Sequence, residues 1–478
     1  MSSVKQARLA QTEVIQPGLY TALMTVSIPI RHCFMTLVVL LLWIPVSARA
    51  QLAFSQCIET LQRELPRYPK VRAETFAAYT REAQDLRPLI DKATRSQPEF
   101  ELQIWDYLAR LVDPQRITDG QAVLARQSMV LSRISARFGV DPATIVAVLG
   151  VESDFGRLQA RHKVVDATLS RACLKLSNRE RTAHFFAALW LAQQNFVKPD
   201  DFRGSWACAF GITQFMPGTH VQFMADGDDD GIIDTLGNMP DALATTANYL
   251  KGLGWTDGLP WAIEVKAPPD VARQSKSSER EHACLGHVQP NGKCHTLSEW
   301  AAMGIRRIDG KSPADRQVRW PGMESSTSTA LLAPTGPDGP AWLVTKNFHA
   351  IWQYNRADSY ALAIGQLTAE LRGEPTQQTP WASPDAALTL SRAGFSQIQT
   401  LLRAAGQCAV VVDGYDGPGT RDAIRAEEQR RGWPETGQPT TKLLEMMQRE
   451  PSEQSLRCSR EPALQPVVDP AGRQAVPR

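Results

Sequence analysis

Apolar residues recur at helical spacing along much of the chain. Positions three and four apart are apolar in Phe76 to Leu89, Glu101 to Leu111, Ser128 to Phe138, Arg181 to Phe196 and Pro240 to Leu253, which predicts amphipathic helices there. Pro142 to Val151 is different: it is apolar almost throughout, as in a helix buried on every side. Its start is well marked, because Asp141 can cap the first turn and Pro142 has the fixed φ that suits the first helical position. The pattern shifts between 259 and 345, where short runs such as Ala262 to Lys266 and Ala341 to Thr345 read as strands. Helix resumes at Ile351 and again over Ser359 to Leu371. The reading is a mainly α chain with a small mixed α/β insertion and a small C-terminal module of three helices.

Punctuation divides the chain further. Gly373 to Pro380 is polar and carries Pro375 and Pro380, so 373–389 reads as a linker between a region spanning 51–372 and a module over 390–450. The tail, 451–478, ends in a stretch rich in Pro, Ala and Gln that is predicted to be largely disordered. At the other end, Phe34 to Val46 is a short Leu- and Val-rich run, preceded by Arg31 and His32 and followed by Ala48-Arg49-Ala50. These are the three parts of a secretory signal, so 1–50 is read as a signal peptide cleaved after Ala50, with Met24 or Met35 as alternative starts. The run is shorter than the roughly 20 residues that cross a bilayer, so a soluble exported product without a stable membrane anchor is expected.

Export makes disulfides chemically reasonable. Cys57, Cys173, Cys208, Cys284, Cys294, Cys408 and Cys458 lie beyond the cleavage point, an odd number that leaves one unpaired. Cys284 and Cys294 flank a Gly- and Pro-containing segment, and Cys408 and Cys458 both belong to the C-terminal part, so those two pairings are expected. His282, His287 and His295 lie near the first pair, but no CxxC or HxxxH spacing supports zinc. The net charge of +2 gives no global basic field and argues against nucleic acid as a partner.

The chemistry-bearing candidate is Glu152, at the end of the apolar run Ile145 to Leu149 and before Phe155. An apolar setting disfavours the charged carboxylate and so suits a general acid, the group that protonates a glycosidic oxygen. A Glu at a helix end paired with an arginine is the plain alternative for this residue taken alone. Glycosidases ordinarily use two carboxylates, and Asp154 is the nearest second one.

Four ordered segments carry a resemblance: Gly150-Val151-Glu152-Ser153-Asp154-Phe155-Gly156; Gly204-Ser205-Trp206-Ala207-Cys208-Ala209-Phe210-Gly211-Ile212-Thr213-Gln214-Phe215-Met216-Pro217; Ala247-Asn248-Tyr249-Leu250 to Gly254-Trp255; and Asn347-Phe348 through Tyr354-Asn355 to Tyr360-Ala361. From about Cys57 to Leu371 the chain resembles the lytic murein transglycosylase B family, which implies a goose-lysozyme-like helical catalytic domain. The resemblance implies that Glu152 acts first as acid and then as base on peptidoglycan in the periplasm. It also implies that Ser205, Gln214, Tyr354, Asn355 and Tyr360 line the saccharide groove, and that the substrate's N-acetyl group replaces the second carboxylate. The product would carry a 1,6-anhydromuramic end, and no cofactor is required for the chemistry. Hydrolysis by a muramidase is the enzymatic alternative, and a catalytically silent wall-binding scaffold the non-enzymatic one.

Two further segments are informative. Asp226-Gly227-Asp228-Asp229-Asp230-Gly231-Ile232-Ile233-Asp234 fits the start of an EF-hand loop, with Asp226, Asp228, Asp230, the Ile232 carbonyl and Asp234 as ligands of a structural calcium ion. It departs at the twelfth position, where Gly237 stands, so that Asn238 or Asp241 would have to reach in or water would fill the gap. Gly394 to Leu402, with Val412-Asp413-Gly414-Tyr415-Asp416-Gly417-Pro418-Gly419-Thr420-Arg421-Asp422-Ala423-Ile424, resembles the small peptidoglycan-binding domain of wall enzymes. There Glu427-Glu428 puts charge where that pattern has an aromatic core residue.

Overall fold

The structure is a computed structural model, and it describes residues 53–94, 102–157, 161–194, 201–275, 282–286, 293–315, 322–383, 389–450 and 458. The signal-like segment 1–50 and most of the tail lie outside the described residues. The helices used below are α1 (Phe54–Glu64), α2 (Ala73–Arg81), α3 (Ile104–Leu111), α4 (Pro114–Arg126), α5 (Ser128–Phe138), α6 (Pro142–Ser153), α7 (Val164–Leu174), α8 (Arg179–Gln193), α9 (Pro217–Phe223) and α10 (Met239–Gly252). They continue with α11 (Leu297–Ala302), α12 (Lys346–Asn355), α13 (Asp358–Arg372), α14 (Arg392–Ala404), α15 (Pro418–Arg431) and α16 (Thr441–Arg449). No described helix is long and apolar enough by itself to cross a membrane.

α6 is the axis of the main core. Asp141 caps it by accepting from the Thr144 N–H at 2.8 Å, and Pro142 occupies its first turn. Ile145, Val146, Ala147, Val148 and Leu149 are all fully buried, because α4, α5, α10 and α13 pack around this helix. Such a helix has no polar face to give to solvent, and its stability comes from burial on all sides. A second core gathers α1, α2, α7 and α8 around Phe76, Phe185 and Phe186. The Cys57–Cys173 disulfide lies inside it and joins α1 to α7.

The mixed insertion lies between α10 and α12. Earlier in the chain β1 (His162–Lys163) pairs with β2 (Arg203–Gly204), and in the insertion strands β3 (Ala262–Lys266), β4 (Cys294–Thr296), β5 (Arg306–Arg307), β6 (Ser328–Leu332) and β7 (Ala341–Val344) form an antiparallel sheet in the order β4-β6-β7-β3-β5. Its register sets Ile263 and Leu331 on either side of Leu343, and this apolar row packs with Leu297 and Trp300 of α11. The Cys284–Cys294 disulfide ties the segment before β4 to that strand.

The C-terminal module is three helices around Phe395, Ile398, Leu402, Ile424 and Met447, with Cys408 bonded to Cys458. Glu427 and Glu428 are buried, as a core position demands, but neither lacks partners. Glu427 accepts from Arg430 at 2.6 and 2.9 Å and also from Arg431. Burial would raise its carboxyl, and these hydrogen bonds outweigh that and lower it. Glu428 accepts from the Thr436 N–H and hydroxyl and from the Gly437 N–H at 2.6–2.8 Å, and so pins the turn after α15. Charge in place of an aromatic is accommodated by hydrogen bonds rather than by packing.

Two boundaries differ from the periodicity. Phe76 to Leu89 is not one helix: α2 stops at Arg81, and a new helix runs Arg87–Thr94. Pro88 cannot donate inside a continuous helix, and the Leu86 N–H turns instead to Ser170 Oγ at 2.9 Å. α12 begins at Lys346, well before Ile351, because Thr345 Oγ1 caps it by accepting from the Asn347 N–H at 3.1 Å.

Candidate functional site

Glu152 lies in the last turn of α6 and is half-buried. The Tyr360 hydroxyl, from the first turn of α13, donates to its Oε1 at 2.5 Å. Packing of α13 along α6 brings these two turns together. Tyr354, from α12, stacks on Tyr360 with ring centroids 6.1 Å apart and donates its hydroxyl to the Thr213 carbonyl at 2.7 Å. Burial first, and then the nearby Glu152 charge, raise both phenols well above their ordinary value. Both tyrosines therefore stay protonated and act as donors. Tyr249 and Phe215 complete this aromatic wall, each within 6 Å of Tyr354 centroid to centroid.

The Thr213 contact anchors the second wall, the loop from Gly204 to Met216. Ser205 closes its base: its N–H donates to the Ala209 carbonyl at 2.7 Å and its Oγ accepts from the Ala209 N–H at 3.2 Å. Gly204 is required there, because a Cβ would stand 2.4 Å from the Ala209 carbonyl oxygen. Gln214 is left-handed, with φ 53°, and its Nε2 donates to the Gly211 carbonyl at 2.8 Å. Cys208, with φ 77°, is the free cysteine among the described residues; burial pushes its thiol up to about 12, which disfavours the reactive thiolate. Asn355 is exposed at the end of α12, next to Tyr354. The structure thus brings Glu152, Tyr354 and Tyr360 into direct contact and sets Gln214 beside Thr213, while Ser205 shapes the loop.

Asp154 is committed elsewhere. Its side chain is 2 % exposed and accepts from Arg157 and Arg392, each through two nitrogens at 2.9 Å. Burial would raise this carboxyl, but those hydrogen bonds and the Arg392 and Arg116 charges pull it down to about 2. It is an ionised structural group and is not placed to serve as a second catalytic carboxylate.

In the acidic loop, ligand-type oxygens of Asp226, Asp228 and Asp230 lie within 4.8 Å of one another. Asp228 Oδ1 is buried with no hydrogen-bond partner, which fits a hard cation. Asp234 is not in this group, and its Oδ1 accepts from the Leu236 and Gly237 N–H groups at 3.0 Å. Ile232 is exposed. Asp241 is fully buried and holds the loop through the Gly227 and Asp234 N–H groups, while Asn238 donates to Asp228 Oδ2. The twelfth-position gap is therefore not filled by either residue. His282 meets His349 and Asp358, each at 3.1 Å.

Arg116 and Arg392 carry no mark in the sequence, and Tyr415, although part of the C-terminal motif, gives no sign there that it meets the Asp154 turn; only the fold brings them together. Tyr249 stands in one of the four resembling segments, but its place in the aromatic wall comes from the fold.

Residues 53–369 match the transglycosylase SLT domain family, and residues 391–447 match a peptidoglycan binding domain family. The chain is 26% identical over 267 residues to membrane-bound lytic murein transglycosylase B of Escherichia coli strain K12, a match spanning 55% of this chain and 65% of that relative. Among solved structures, SltB3 of Pseudomonas aeruginosa in complex with NAG-NAM-pentapeptide is 36% identical, with a TM-score of 0.60 over 83% of this chain and 99% of that one. The Escherichia coli lytic transglycosylase Slt35 in complex with calcium is 22% identical, with a TM-score of 0.52 over 66% of this chain, a likeness of fold.

Proposed function

Because the chain belongs to the transglycosylase SLT domain family and carries a C-terminal peptidoglycan binding domain, we propose that it is a lytic transglycosylase of peptidoglycan with Glu152 as its single acid and base. The observation that carries this reading is the hydrogen bond from Tyr360 to Glu152 Oε1 at the end of a buried helix, beside an aromatic wall and a tightly turned loop. In the proposed reaction the Glu152 carboxyl protonates the oxygen that links N-acetylmuramic acid to N-acetylglucosamine. The bond from the muramic anomeric carbon to that oxygen breaks as the acetamido oxygen of the same sugar bonds to the carbon, giving an oxazolinium ion. The Glu152 carboxylate then takes the proton from the 6-hydroxyl. The 6-oxygen bonds to the anomeric carbon, displaces the acetamido oxygen and closes the 1,6-anhydro ring. The commitment of Asp154 to arginines supports a substrate-assisted route, since that neighbouring carboxylate is not available as a nucleophile. Gln214, Tyr354, Ser205 and Asn355 are proposed to line the saccharide groove. Release of soluble muropeptides from purified sacculi tests the reading, and absence of release from the intact protein refutes it.

Tyr360 is proposed to hold Glu152 in aim. Tyr360→Phe is expected to lower kcat by roughly tenfold with little change in KM, because one hydrogen bond to the acid is lost while the ring stays packed. Steady-state kinetics on a soluble glycan fragment gives the answer.

Export to the periplasm is proposed as well, and the three disulfides suit that oxidising compartment. Calcium is proposed as a structural ion at Asp226, Asp228 and Asp230, where it would neutralise clustered carboxylates and take no part in the chemistry. Millimolar calcium is expected to raise Tm by a few degrees, reversibly with chelator, since an ion that binds only the folded state stabilises it by about 2.7 kcal/mol at 100 times Kd. Asp228→Ala should abolish that response.

A further inference from the structure

The C-terminal module meets the catalytic region at the turn that ends α6. Asp154 and Phe155 follow Glu152 closely, and both are left-handed, with φ of 51° and 58°. Non-glycine residues hold that conformation only when their surroundings fix them. Part of what fixes Asp154 comes from the module. Arg392, at the start of α14, grips it in a two-pronged bond, Nη1 to Oδ1 and Nη2 to Oδ2, each 2.9 Å. The Arg392 guanidinium in turn lies 4.7 Å from the ring centroid of Tyr415, also in the module.

Arg116, from α4, links both sides. It is 1 % exposed, its Nε donates to the Gly150 carbonyl in the last turn of α6 at 3.1 Å, and its Nη2 lies 3.4 Å from the Tyr415 hydroxyl and 3.6 Å from Asp154 Oδ1. Around this centre Arg110 pairs with Asp416 at 3.1 Å and covers the Phe395 ring, and Thr389 bonds Asp106 at 3.0 Å. A tether that served only to keep the enzyme near the wall would need none of these contacts. Instead, the half-buried Arg392 of the module completes the shell of the turn that presents Glu152. Planar guanidinium forks of this kind fix orientation as well as distance.

We propose that the wall-binding module is a positioning element of the active site, with Arg392 and Tyr415 as positioning residues that hold the Asp154 turn, and through it Glu152, in aim. The inference rests on the reading of Glu152 as the acid. Docking of the module and turnover are thereby coupled: a module displaced from α6 lowers the chemical step even when substrate binds. The depressed Asp154 carboxyl, ionised at any working pH, keeps the tie in place across that range.

The test uses the full chain and a soluble tetrasaccharide bearing stem peptides, alongside sacculus binding. Arg392→Ala is expected to lower kcat about tenfold, since small misplacements of a catalytic group are costly. KM and sacculus binding should stay within twofold, and Arg392→Lys should recover part of the rate. Tyr415→Phe, which removes one hydroxyl and keeps the ring, should lower kcat a few-fold; it decides the matter by the same criteria if Arg392→Ala does not fold. Unchanged kcat in both variants overturns the proposal, as does loss confined to KM or to sacculus binding, the pattern of a plain anchor. The unsubstituted protein and Glu152→Gln run beside them. Equal rates from those two overturn the reading of Glu152 and the tie with it, whereas failure of the tie alone leaves the unsubstituted protein active and the module variants equally so.

Discussion

Glu152→Gln is expected to lose at least about 10³-fold in turnover, because one residue serves as both the acid and the base, and each such role contributes on the order of 10²–10⁴-fold. The amide has the shape of the acid and still accepts from the Tyr360 hydroxyl, so the 2.5 Å contact and the packing of α6 on α13 persist. What disappears is the transferable proton. Tm should therefore stay within about two degrees and sacculus binding should be unchanged, which separates lost chemistry from lost fold. The check is initial-rate release of muropeptides by variant and unsubstituted protein at equal concentration. Retained activity would remove Glu152 from the mechanism.

Removing the Cys57–Cys173 bond, as Cys57→Ala/Cys173→Ala, is expected to destabilise the protein by about 2–5 kcal/mol, the usual effect of losing a native disulfide. Two features put it toward the upper end. The cysteines are 116 residues apart, so the bond closes a long loop and constrains the unfolded chain strongly. In addition, α1 is fully buried only at Cys57 and Leu61, with Phe54 and Ile58 partly covered, so the bond is a large share of what fixes it to the core. Urea denaturation followed by circular dichroism should show a lower midpoint, and limited proteolysis should cut first in the α1 region. An unchanged midpoint would mean that packing around Phe185 and Phe186 suffices without the bond.

The features that were readable in the chain are those with local causes. Asp141-Pro142 and an apolar run without a polar face define α6, and a buried helix ending in a carboxylate is visible without any knowledge of its neighbours. Alternation over Ala262 to Lys266 marks β3, and the acidic loop declares itself by spacing. What was not readable depends on long-range packing. Nothing near Cys57 points to Cys173, whereas Cys284 and Cys294 are 10 residues apart across a short loop. Asp154 reads in sequence as the nearest second carboxylate, and only the fold brings Arg116 and Arg392 to it from either side of the chain. Tyr360 carries helical periodicity, which cannot tell that its hydroxyl meets Glu152. Likewise Glu427 and Glu428 read as a defect until Arg430, Arg431 and the turn at Thr436 are seen to satisfy them.

Mass spectrometry of the muropeptides that the protein releases from purified sacculi separates ring closure from hydrolysis. Fragments about one water lighter than hydrolytic ones, with 1,6-anhydromuramic ends, are expected from the unsubstituted protein and none from Glu152→Gln. Fragments with free reducing ends would contradict it, since they would mean that water, and not the sugar's own 6-hydroxyl, completes the reaction.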